Sequence, residues 1–120
     1  MFEPRKLRHR LEIQEFQVIE DSSGEVQDDN GALVQEWVTV ATVWAAIEPI
    51  SAREFVSAQA DQSKVVARIT IRYRTNINSA MRLYHAAKDS YYNIEGILSD
   101  KQSGLQYLTL PCSEGVRYAE

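Results

Sequence analysis

Arg68, Arg72 and Arg74 recur at even spacing in residues 64–74, which read K-V-V-A-R-I-T-I-R-Y-R. Side chains of an extended chain point alternately to opposite faces. Val66, Arg68, Thr70, Arg72 and Arg74 therefore share one side, and Ala67, Ile69, Ile71 and Tyr73 share the other. The first side is a cationic ridge suited to an anionic or acidic partner surface, although a solvated sheet face has the same composition. A charge group of opposite sign lies in residues 19–35, where Glu20, Asp21, Glu25, Asp28 and Asp29 occur with no Lys or Arg. Asp28-Asp29-Asn30-Gly31 carries oxygen ligands, but the spaced ligands and closing glutamate of a calcium loop are missing. Asn-Gly is instead a strong turn signal.

Catalytic chemistry finds little support. No nucleophile elbow, phosphate-binding glycine loop, dinucleotide fingerprint or H-E-x-x-H occurs. Ser, His and Asp are present, but nothing local assembles a triad. Cys112 follows Pro111 and reads as a small packed hydrophobe rather than a nucleophile. As the single cysteine it allows no internal disulfide, and His9 and His85 are too far apart for zinc spacing. Tyr73, Tyr84, Tyr91, Tyr92 and Tyr107 offer a stacking platform in principle. Their alternation with aliphatic residues favours core packing. The expectation is a chain with no catalytic, metal-binding or cofactor-binding residue.

The elements that must position these residues are strands. Residues 6–16 alternate Leu7, His9, Leu11 and Ile13 with Arg8, Arg10, Glu12 and Gln14, so His9 is expected on the apolar side as a hydrogen-bonded structural histidine. Residues 19–35 read as a long acidic loop or hairpin tip. Residues 36–47, E-W-V-T-V-A-T-V-W-A-A-I, are apolar on both faces, with Trp37, Thr39, Ala41, Val43, Ala45 and Ile47 on one side and Trp44 on the other. Such a strand lies in a closed barrel or is covered on its second face, which singles out Trp44 as an interface residue. Ser51 and Glu54 match a capping box and predict a short helix over 51–60, with Arg53 and Phe55 in it. A fourth strand over 81–86 places Met81, Leu83 and His85 together. A fifth over 91–98 places Tyr92, Ile94 and Leu98 together. The last, 105–112, is reduced to an edge near its end by Pro111. Residues 113–120 read as a tail that frays unless a partner holds it. The fold class is mainly β: a small antiparallel barrel or sandwich of about six strands, one short helix at about 51–60 and a long loop at about 19–35.

At 120 residues, 44% hydrophobic and 25% charged, the chain is a single ordinary globular domain over 1–120. A net charge of −4 argues against a surface devoted entirely to nucleic acid. The first ten residues lack the apolar run of a signal peptide, and no segment approaches the roughly 20 apolar residues that cross a bilayer. The expected setting is a reducing one, with no membrane.

The order of features resembles tailed-bacteriophage head–tail joining proteins of the head-closure or stopper type. The residues that carry the resemblance are L-R-H-R-L-E-I-Q, W-V-T-V-A-T-V-W-A-A-I-E-P-I, A-R-E-F, I-T-I-R-Y-R-T-N-I-N-S-A-M-R, Y-Y-N-I-E-G-I-L-S-D and L-T-L-P-C-S-E, spanning residues 5–114. The loop at 19–35 is longer than the brief turn of that pattern. The resemblance implies a small β-barrel with a helix, assembled as a ring, commonly of twelve copies. The ring sits beneath the portal and adaptor, closes the DNA channel after packaging and docks the tail. Arg53 and Glu54 match the family's helix start, Arg72 and Arg74 its R-Y-R, and residues 48–64 its channel-facing segment. The implied partners are portal and adaptor proteins, tail proteins, further copies of the chain and the packaged DNA. The implied location is the virion's head–tail interface, after synthesis in the bacterial cytoplasm. Candidate interface residues are Asp21, Glu25, Asp28, Asp29, Trp44, Arg53, Glu54, Phe55, Arg68, Arg72 and Arg74. Two other readings stay open: another small tail component, of tail-completion or tail-tube type, and a nucleic-acid-binding barrel.

Overall fold

Strands that are apolar on alternate positions must bury those positions against one another, and here they do so by closing on themselves. The computed structural model describes residues 3–21, 23–54, 65–100 and 103–115. After a 3₁₀ turn at Pro4–Lys6 come β1 (His9–Val18), β2 (Glu20–Asp21), β3 (Gly24–Glu25), β4 (Gln35–Pro49), β5 (Ala67–Arg72), β6 (Arg82–His85), β7 (Ser90–Ile94), β8 (Leu98–Ser99) and β9 (Tyr107–Glu114). The sheet runs β5-β4-β1-β6-β7-β9, and β9 pairs back with β5, so six antiparallel strands form a closed barrel. Closure leaves these six without a free edge, so their backbone groups pair within the sheet rather than with another chain. Residues 52–54 are helical; the rest of the expected helix, with Phe55, lies outside the described residues.

The core is the inward half of each alternation: Leu11 and Ile13 of β1, Ile69 and Ile71 of β5, Leu83 of β6, Ile94 of β7, and Leu108, Leu110 and Cys112 of β9. Met81, Leu83 and His85 share this interior, as their spacing predicts. Burial pushes the Cys112 thiol up to about 12, and its sulfur donates to the Leu110 carbonyl at 3.2 Å, so it packs as a hydrophobe. His9 lies edge-on to the buried His85 ring at 5.4 Å. The Nδ1 of His85 has no hydrogen-bond partner.

Four departures from simple alternation shape the exterior. On β4 an extra residue, Val40, interrupts the ladder: Ala41 faces Ile13 while Thr39 faces Gln14. A strand gaining one residue swaps faces beyond the insertion. Trp37 therefore leaves the side of Val43 and Ala45 and turns outward beside Phe16, at 5.3 Å. Secondly, β5 ends at Arg72, so Tyr73 misses the core and is 40% exposed. Thirdly, the strand after Ile94 breaks at residues 95–97 and resumes as β8, which leaves Leu98 56% exposed rather than packed with Tyr92 and Ile94.

The fourth departure is linked to the third. Pro111 does not mark an edge: it sits inside β9, which pairs with β5 on one side and with β7 and β8 on the other. Its carbonyl accepts from the Glu95 N–H at 2.8 Å. In an antiparallel strand the N–H and C=O of a residue point the same way, so the missing donor falls where the neighbouring strand is interrupted. Gly96 lies beside the ring, where an added Cβ would sit 3.8 Å from Pro111 Cγ and Cδ. Beyond the break, Asp100 closes the turn into β9. Its carboxylate accepts from the N–H groups of Ser103, Gln106 and Tyr107, which hold it well below the usual carboxylate range.

Of the two readings of residues 19–35, a long loop or a hairpin tip, the described residues take the second, forming an arm. β2 and β3 form a small hairpin, tied back by Val26 N–H to Ile19 and Val34 N–H to Val26. At the end, Asp28 Oδ1 accepts from the N–H groups of Asn30 and Ala32, and Gly31 takes φ +82°, as Asn-Gly predicts.

Two outcomes follow from this core. Ile69→Ala, at a fully buried site, should lower unfolding free energy by about 2–5 kcal/mol, read as a lower urea midpoint with an unchanged slope. Burial lowers the pKa of His85, aided by the charges of His9 and Lys88. A histidine depressed in the folded state gives its full stability above its unfolded value, about 6.5, and loses it as pH falls through the folded value. The melting temperature should therefore fall between pH 7.5 and 5.5, and His85→Leu should flatten that decline.

Candidate interface surfaces

The outward half of the barrel carries the candidate residues. Arg10 of β1 pairs with Trp44 of β4, and Arg72 of β5 pairs with Tyr107 of β9. Since Ala45 faces Ile71, Trp44 and Arg72 are neighbours across the intervening ladder. Both line a cleft of about 300 Å³ with Pro4, Leu7 and Arg8 of the N-terminal segment. The result is a row of alternating cation and ring over four strands. The Arg10 guanidinium lies 4.7 Å from the Trp44 ring centre, and that of Arg72 lies 5.9 Å from Tyr107. Trp44 is 50% exposed, as its two-sided apolar strand predicts.

The arginine ridge on β5 is therefore divided. Arg68 and Arg72 do face outward, but Arg68 is ion-paired to Glu54. That pairing holds the Glu54 carboxyl below its usual range and raises the Arg68 guanidinium. It also halves the capping box. The Glu54 N–H donates to Ser51 Oγ at 3.1 Å, while the Glu54 carboxylate is taken by Arg68 and the Ser51 hydroxyl. Arg53 is exposed beside it. Arg74 lies beyond the strand end and joins neither group. At the far end, Glu25, Asp28 and Asp29 are exposed on the arm, with Asp21 in β2.

One constellation has no counterpart in the sequence reading. Arg82 of β6 faces outward yet is only 8% exposed. Its guanidinium lies 4.2 Å from the ring centres of both Trp37 and Tyr91, and its Nε donates to Gln14 Oε1 at 2.7 Å. Burial pulls its pKa below the ordinary guanidinium value. Tyr84 stacks beside Tyr91 at 4.7 Å and donates to Asp89 at 2.9 Å. The alternation M-R-L-Y points Arg82 outward, but its sandwich depends on the Val40 insertion turning Trp37 to the same face. Among the described residues no group of three or more His, Cys, Asp or Glu side chains is placed to hold a metal.

Comparison with known proteins brings these surfaces into context. The model of the phage head completion protein family matches residues 2–115. The head completion protein gp7 of Enterobacteria phage HK97 is 31% identical over 81 residues, which are 68% of this chain and 66%, just under two thirds, of that protein. The solution structure of protein SF1141 from Shigella flexneri 2a is similar with a TM-score of 0.69 and 28% identity, over 98% of this chain and 100% of that one. A chain from the virion of a native gene transfer agent particle shares the fold, with a TM-score of 0.52 and 15% identity over 92% and 96% of the two chains.

The Arg82 sandwich is open to direct test. Arg82→Ala removes a desolvated cation–ring contact and strips Gln14 of its donor, so stability should fall by about 2 kcal/mol. Trp37 emission should change in the same variant before any unfolding.

Proposed function

The chain belongs to the phage head completion protein family, and from that premise we propose that it is a structural connector of the virion. Family membership makes it a component of the structure that completes the phage head for tail joining. In the finer reading, copies of the chain form a ring beneath the portal and adaptor, commonly of twelve. The ring closes the DNA exit channel after packaging and offers the tail a docking surface. The segment over 48–64, which includes Arg53, Glu54 and Phe55, corresponds to the family segment that can face the channel, and an acidic channel lining would let DNA slide, because phosphate binding is driven by cationic side chains.

The observation that carries this reading is where the polar chemistry sits. The barrel interior is an apolar core that also buries the thiol, while a cation–aromatic row and an acidic arm lie outside it, at separate places. A self-sufficient core with two unlike outer patches suits a ring subunit, whose neighbours meet through two different surfaces. Trp44 and the cleft beside it, together with the acidic arm, supply such patches.

The mass of the purified chain, alone and with the portal–adaptor complexes of its own phage, tests this directly by native mass spectrometry. The expected result is a monomer in isolation at micromolar concentration and a fixed multiple of subunits on the complex. Failure to associate with those complexes, with salt-sensitive binding to duplex DNA instead, would replace the connector by a nucleic-acid-binding barrel.

A further inference from the structure

We infer that the row Arg10–Trp44–Arg72–Tyr107 is the docking site for the acidic arm of a second copy of this chain. The inference rests on the ring reading above and names the two surfaces that meet in it.

The site is preorganised for carboxylates. Arg10 and Arg72 rest on the rings of Trp44 and Tyr107, and neither makes an ion pair among the described residues. A guanidinium held against a ring keeps its N–H edge for a carboxylate, which it grips through two parallel bonds. Four neighbouring strands at about 4.8 Å spacing make the row about 15 Å wide, enough to seat a two-stranded hairpin. Arg8 lies alongside in the same cleft and adds to the positive field.

The occupant is built to match. Residues 19–36 hold six acidic side chains and no basic one. Their backbone is already ordered by the β2–β3 hairpin and the Asp28 turn, so docking costs little ordering entropy. Arm and row cannot satisfy each other within one chain. The row crosses β1 at Arg10, near the start of that strand, and the arm begins at Ile19, just past its end, so the two are about 30 Å apart at ~3.3 Å per residue. Screening extends only ~8 Å at physiological ionic strength. Each patch finds its complement only on another copy, and a contact between unlike patches propagates head to tail into a ring or filament. Duplex DNA fits less well, because the net charge of −4 and the arm repel it.

Sedimentation of the full chain at low ionic strength, up to about millimolar concentration, tests the contact without the portal. The wild type should associate reversibly, and high salt should abolish the association. Reversing the row (Arg10→Glu with Arg72→Glu) or the arm (Glu20→Lys, Glu25→Lys and Asp29→Lys) should each weaken it about tenfold or more. Mixing the two reversed proteins should restore it, since each then presents the complement of the other. All these positions are exposed, and unchanged melting of each variant verifies the fold. A wild type that stays monomeric throughout overturns the inference. So does association indifferent to the reversals, or a row variant that loses duplex DNA binding while associating normally. The portal mass measurement judges the connector reading separately, so either can fail alone.

Discussion

Pairing of β9 with β5 is the constraint on which the rest of this structure depends. It turns an open sheet into a cylinder, so that each of the six strands has a neighbour on both sides. Without it, β5 and β9 would present unpaired backbone to solvent and Ile69, Ile71, Leu108 and Leu110 would lose their enclosure. With it, one face of every strand is committed to the core and the other is free to vary. Stability and recognition are thereby assigned to opposite faces of the same residues' backbone. Such a barrel tolerates charge and aromatic content outside without weakening its interior, as the outward Arg10, Trp44, Arg72 and Arg82 illustrate.

Much of this was legible in the sequence because period-two alternation is local. The six main strands, the shared interior of Met81, Leu83 and His85, the outward Arg68 and Arg72, and the Asn-Gly turn all follow from neighbours a few residues apart. What escaped depends on partners distant in the chain. The Val40 insertion is a mismatch between two strands and leaves no mark in β4 alone, yet it reverses Trp37 and so creates the Arg82 sandwich. Arg68 is claimed by Glu54 from across the 48–64 connection, which no strand pattern discloses. Pro111 misled for a related reason. A proline argues against a central position only if its neighbour needs the missing donor, and here that neighbour is broken at residues 95–97.

The family relationship and the physical reading answer different questions. The relationship assigns the chain to head completion in phage and leaves its contacts open. The geometry is silent about phage, yet it separates an anionic arm from a cationic, aromatic row by the length of one strand. Together they describe a head completion protein with two unlike outer surfaces on a closed apolar core.

The position of β9 in the chain has a consequence for synthesis. The barrel's closing strand is also its last, and it pairs with β5, β7 and β8 together. A nascent chain has made every other strand before translation passes residue 114, yet it cannot seal. Until then β5 and β7 are bare edges flanking an open core, the condition in which β-rich chains pair with the wrong partner. Closure of the barrel therefore waits on the synthesis of β9, however much of the other strands has already been made. The vulnerable period lasts as long as β9 takes to arrive and find β5, a closure between distant segments of the kind that makes β-barrels slow.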